Sequence, residues 1–65
     1  MRFTKKPATK EGWYWLKNGM DFEIGLSIDP EEQLWSLATD DGILDWQELL
    51  SRGFRRNINQ IEAPK

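Results

Sequence analysis

Large apolar residues recur at every second position on both sides of an Asn-Gly pair near the start of the chain. Trp13 and Trp15 precede Asn18-Gly19, and Phe22, Ile24, Leu26 and Ile28 follow it. A period of two is the signature of a strand, whose successive side chains point to opposite faces. Asn-Gly favours the two positive φ angles of a type I′ turn, so the two runs read as a hairpin. With Asn18 and Gly19 as turn residues, Lys17 faces Met20, Leu16 faces Asp21, Trp15 faces Phe22, Tyr14 faces Glu23 and Trp13 faces Ile24. One face then carries Trp13, Trp15, Phe22, Ile24, Leu26 and Ile28; the other carries Tyr14, Leu16, Glu23, Gly25 and Ser27. The face with the larger side chains is the expected core face, and a one-residue slip would scatter it.

Asp29-Pro30-Glu31-Glu32 reads as a second turn, with Asp suited to its first position and Pro presetting φ at the next. Leu34–Ala38 follows as a third strand. Trp35 and Leu37 are expected on the core side because they are larger, with Leu34, Ser36 and Ala38 on the other. Asp40-Asp41-Gly42 ends that strand. A short helix is expected next, with Asp45 as N-cap and Glu48 as its capping-box partner, while Leu44 and Leu49 form a hydrophobic staple. Trp46, Leu49 and Leu50 share a helix face, and Gly53 suits a left-handed C-cap. Phe54, Arg56 and Ile58 alternate with Arg55 and Asn57 as a fourth strand. The order β-β-β-α-β implies an α+β fold: a small antiparallel meander with one short helix packed on its Trp-rich face. Residues 1–65 read as a single small domain, with 1–11 as a lead-in and 62–65 as a tail.

Composition narrows the chemistry. The 65 residues include no Cys and no His. That excludes disulfides and zinc-thiolate sites, and removes the side chain most used for acid–base work near neutral pH. A chain of this length buries only roughly 60% of the surface its unfolded form exposes. The four Trp then read as compensation, since each large ring buries roughly 150–250 Å². No apolar run is long enough for a membrane helix or a signal-peptide core, so a cytoplasmic location is expected.

Catalysis finds no footing. Asp40, Asp41, Asp45 and Glu48 resemble a cation site in composition, but their spacing does not fit the calcium-loop pattern, and capping accounts for Asp45 and Glu48. No Ser or Thr sits in a nucleophile-elbow setting, no His can activate one, and the five glycines are too dispersed for a phosphate loop. A non-enzymatic protein without metal or cofactor is expected.

Charge is distributed in blocks. No Lys or Arg lies between Asn18 and Ser51, a stretch with nine carboxylates, whereas both flanks are basic. The net charge of −2 therefore conceals a basic–acidic–basic chain. Three binding readings follow. One helix cannot cover both faces of a sheet, so the face carrying Tyr14, Leu16 and Leu34 is expected either to be solvated or to meet a protein partner, including a second copy of the chain. The acidic turn at Asp29, Glu31 and Glu32 would supply selectivity there. The alternative is nucleic-acid binding through Arg52, Arg55, Arg56 and Lys17, joined by Lys5, Lys6 and Lys10. Against it stand the acidic net charge and the expected burial of the Trp residues. In the third, the acidic middle steers a basic partner, as a phosphate mimic would.

A Pro, a short polar stretch and then Gly12-Trp13-Tyr14-Trp15 opening a hairpin resemble the start of many small proteins of bacteriophages and prophages. The closing Arg56, Ile61 and Pro64 resemble their ends. The resemblance implies a phage- or prophage-related accessory protein that acts by binding a host or phage protein. It carries over no site residues.

Overall fold

The hairpin forms, and its ladder extends one residue further into the Asn-Gly pair than the turn chemistry indicates. In the computed structural model, which describes residues 2–37 and 42–61, strand β2 (Gly12–Asn18) pairs with β3 (Asp21–Asp29) so that Asn18 faces Asp21 and Trp15 faces Ile24. Gly19 and Met20 are therefore the turn residues. Gly19 has φ 65°, and glycine at the first central position is the requirement of a type II′ turn. Asn18 stays extended because its other edge is also paired, with Phe54. Each cross-strand partner moves by two positions, and an even shift leaves every side chain on its original face.

Among the described residues, six strands make one antiparallel sheet. Besides β2 and β3 these are β1 (Phe3–Thr4), β4 (Leu34–Leu37), β5 (Ile43–Asp45) and β6 (Phe54–Asn57), in the spatial order β1-β6-β2-β3-β4-β5. Strands β2 to β5 form the meander. The chain then passes through helix α1 (Trp46–Ser51) and returns β6 to the free edge of β2. The fold is thus α+β in the broad sense, mostly sheet, with two short strands that the alternation pattern did not reveal. Phe3–Thr4 and Ile43–Asp45 are too short to show a period. The lead-in expected over 1–11 contains the first of them.

The Asp29 turn and the N-cap of the helix form as expected, while the Glu48 carboxylate, expected as the reciprocal capping-box partner, accepts from Arg52 Nε at 3.1 Å. Asp29 Oδ1 accepts from the backbone N–H of Glu31 at 3.1 Å and of Glu32 at 3.2 Å. Asp45 Oδ1 accepts from the Glu48 N–H at 2.8 Å, as an N-cap does. Gly53 takes φ 97° just past the helix, and Leu44 packs at the margin of the core that holds Leu49. Asp40, Asp41 and Ala38 lie outside the described residues.

The core, however, is on the other side of the sheet from the one expected. Tyr14 and Leu16 are 3% and 0% exposed, and they pack with Ala8, Trp35, Leu37, Trp46, Leu49 and Phe54. The helix covers this face, not the face of Trp13 and Trp15. Ring contacts tie it together: Tyr14 to Trp35 at 5.4 Å and Trp35 to Trp46 at 5.1 Å between centroids. The reason is complementarity across strands. Gly25 faces Leu37 and Ser27 faces Trp35, so the small side chains of β3 leave room for the large ones of β4. A Cβ on Gly25 would come within 2.5 Å of Leu16 Cδ1 and 3.2 Å of Trp35 Cε3. Size sorting within the hairpin ranks these positions as poor; the third strand and the helix fill them.

The lead-in closes the end of this core. Three core side chains donate to its backbone carbonyls: Trp46 Nε1 to Lys5 at 2.8 Å, Arg56 Nε to Lys6 at 2.7 Å and Tyr14 Oη to Lys10 at 3.0 Å.

Candidate interaction face

Strand alternation places Phe3, Arg55, Trp13, Trp15, Lys17, Phe22, Ile24, Leu26, Leu34 and Ile43 on the side away from the helix. No described element covers them. Trp13 is 45% exposed, Phe22 54% and Ile43 61%; Trp15, Ile24 and Leu26 are half-buried by their neighbours alone. Phe3 and Phe22 meet at 6.0 Å across the sheet. The result is a mixed aromatic and aliphatic surface in the middle of a sheet, where scattered exposed apolar residues would be ordinary but a contiguous group is not.

The residues expected to bind a partner do not come together. Tyr14 and Leu16 are core residues, while Leu34 lies on the opposite, helix-free face. Of the acidic turn, Asp29 is engaged in holding Glu31 and Glu32, whose side chains are exposed. The reasoning that one sheet face lacks a cover holds; the face is the one that carries Trp13, Trp15 and Phe22.

The basic residues also divide. Arg56 is buried: its Nε donates to Lys6 O, Nη2 to Pro7 O at 3.1 Å and Nη1 to Asn57 O at 3.1 Å, and the guanidinium lies 5.4 Å from the Tyr14 ring centroid. Burial pulls the Arg56 pKa down and pushes the Tyr14 phenol above its usual value, each opposed by the attraction between the two. Arg56 is thus a buried structural cation, on the core side of the sheet opposite Leu16. Arg52 is on the helix end, paired with Glu48 at 3.1 Å. Lys5, Lys6 and Lys10 travel with the lead-in on the helix side. Among the described strand residues Lys17 and Arg55 reach the exposed aromatic face, directly opposite each other in the β2–β6 ladder, and Arg2 lies beside Trp15 at its border.

Among the described residues no three carboxylates gather as a metal site would require, and no helix is long and apolar enough to cross a membrane. Comparison with protein-family models, curated proteins and solved structures yields no match.

Proposed function

We propose that this chain is a non-enzymatic protein-interaction module that binds its partner through the helix-free sheet face. One observation carries the reading: Trp13, Phe22 and Ile43 stand exposed in a single apolar surface although the chain has a helix that covers the opposite face. Aromatic side chains at the centre of such a surface are typical interface anchors. The hairpin resemblance supports a phage- or prophage-related accessory role, in which a small cytoplasmic protein redirects a host or phage protein by contact.

A pull-down from bacterial lysate with three baits tests this. The wild type should retain a partner that Trp13→Glu/Phe22→Glu loses while keeping its circular dichroism spectrum. Leu16→Glu, in the core, should instead lose the fold. Equal capture by wild type and double variant would refute the assignment of the face.

Single-stranded nucleic acid is the second reading, favoured by the convergence of Lys17 and Arg55 with exposed Trp13 and Phe22. It requires affinity that falls steeply with salt. A low-salt mobility shift with oligonucleotides decides it.

A further inference from the structure

The cations on the exposed face are placed at a cost. Lys17 and Arg55 are directly opposed on neighbouring antiparallel strands, an arrangement in which like charges repel. The Lys17 ammonium lies 5.7 Å from the Phe3 ring centroid and 5.9 Å from that of Phe22, so it sits among the aromatic groups and not beyond them. Next to this pair a groove of about 360 Å³ is lined by Arg2, Trp15, Ile58 and Ile61 among others. Strand alternation puts no carboxylate beside this pair among the described positions of β1, β6 and β2; the nearest on this side of the sheet by register, Asp29 and Asp45, stand opposite Leu34 at the far edge. Asp21 and Glu23 of β3 face the helix side with Asn18 and Leu16, and Glu31, Glu32 and Glu48 lie in the turn after β3 and in α1.

We infer that the face binds a protein segment in which carboxylates alternate with apolar side chains. Its carboxylates meet Arg2, Lys17 and Arg55, and its apolar side chains lie on Trp13 and Phe22 and in the groove beside Trp15. The inference rests on the reading of this face as protein-binding and adds the chemistry of the partner. Charge complementarity selects it. A carboxylate between Lys17 and Arg55 relieves their repulsion, and the Arg55 guanidinium, whose Nη1 donates to the Phe54 carbonyl at 2.7 Å, can donate its remaining N–H groups to it. A second copy of the chain, with only Asp29 and Asp45 at the far edge of the same face to meet Lys17 and Arg55, is the competing occupant that sedimentation tests. A nucleic-acid strand is disfavoured by the other half of the face, where Ile24, Leu26 and Ile43 offer no ring for stacking. The nine carboxylates between Asn18 and Ser51 also repel a long polyanion.

Fluorescein-labelled peptides of about ten residues, enough at ~3.3 Å per residue to cross the sheet, test this by anisotropy. Leu and Phe occupy alternate positions in all of them, and Glu, Gln or Lys the others; an oligothymidine of similar length is the fourth probe. The Glu peptide should bind about tenfold or more tightly than the Gln peptide and weaken with salt, with the Lys peptide weakest. Lys17→Glu/Arg55→Glu should reverse the order and favour the Lys peptide, an outcome that an unfolded variant could not produce. Equal binding of all three peptides would overturn the carboxylate preference but leave the protein-binding reading standing. Tighter binding of the oligothymidine would overturn both in favour of nucleic acid. Absence of binding by all four, with sedimentation showing a concentration-dependent dimer, would assign the face to a second copy and overturn the proposal.

Discussion

The Arg56 guanidinium reaches fifty positions back along the chain to donate from Nε to the Lys6 carbonyl at 2.7 Å. The same group donates to Pro7 and Asn57. A charged side chain at a core-facing strand position is tolerated because three backbone carbonyls take the place of water around it. In return it fixes the lead-in over the core, together with Trp46 and Tyr14, which donate to the Lys5 and Lys10 carbonyls.

Arg56→Met should therefore be costly even though it keeps most of the buried volume. Three carbonyls lose their donor, and the closure of the core by residues 5–10 weakens. Urea denaturation should show a loss of about 2–4 kcal/mol. Arg52→Met, at the exposed helix end, should lose under ~1 kcal/mol.

Gly25 tests the complementarity that decides the core. Gly25→Val should destabilise the fold by about 2 kcal/mol or more, since the added side chain meets Leu16 and Trp35 in a packed interior. A combined Gly25→Ala/Leu16→Ala variant, read by thermal melting, should recover part of the steric component.

Ser27 is buried, and its Oγ has no hydrogen-bond partner among the described residues. A buried hydroxyl without a partner carries its desolvation cost uncompensated. Ser27→Ala should accordingly be neutral or raise the melting temperature by a few degrees, whereas Ser36→Ala, on the half-exposed side of the same sheet, should change little. A clear loss of stability in Ser27→Ala would show that the hydroxyl is satisfied.

Tyr14 is the one tyrosine of the chain, so tyrosinate absorbance reports on it alone. Burial raises its pKa, and the Arg56 charge offsets part of that rise. The folded protein should ionise above the usual tyrosine range and the urea-unfolded chain within it. The sign follows: the neutral phenol's contribution is complete below the unfolded pKa, near 10, and is lost as pH rises through the folded value. Difference spectra against pH, with and without denaturant, measure both. Tyr14→Phe should remove the phenol's share of the alkaline loss of stability.

Asp45→Ala removes the one side-chain cap of a helix of six residues. A loss of about 1 kcal/mol is expected by chemical denaturation, with Asp45→Asn retaining most of the stability.

Local chemistry was legible in the residues themselves. The Asp29 turn, the Asp45 cap, the Gly53 terminus and the four longer strands each depend on neighbours within a few positions and stand where the pattern placed them, while the hairpin formed with its turn one residue later, at Gly19 and Met20. The grouping of Trp13, Trp15, Phe22, Ile24 and Leu26 on one face is also as the pattern placed it, because parity survives the even shift in register. The two short strands were not legible, since two or three residues carry no periodicity. Nor was the role of Arg56, whose acceptors lie at the far end of the chain.

Alternation alone therefore determined which residues of this protein share a face. Which face became the core was decided only in three dimensions. Two strands taken alone favour the side with more apolar bulk. The assembled sheet favours the side where Gly25 and Ser27 make room for Trp35 and Leu37, and where the helix can add Trp46 and Leu49. Packing energy comes from filled volume between elements and not from the size of any one side chain. The bulky face of the hairpin was thereby left outside, as the surface available to a partner.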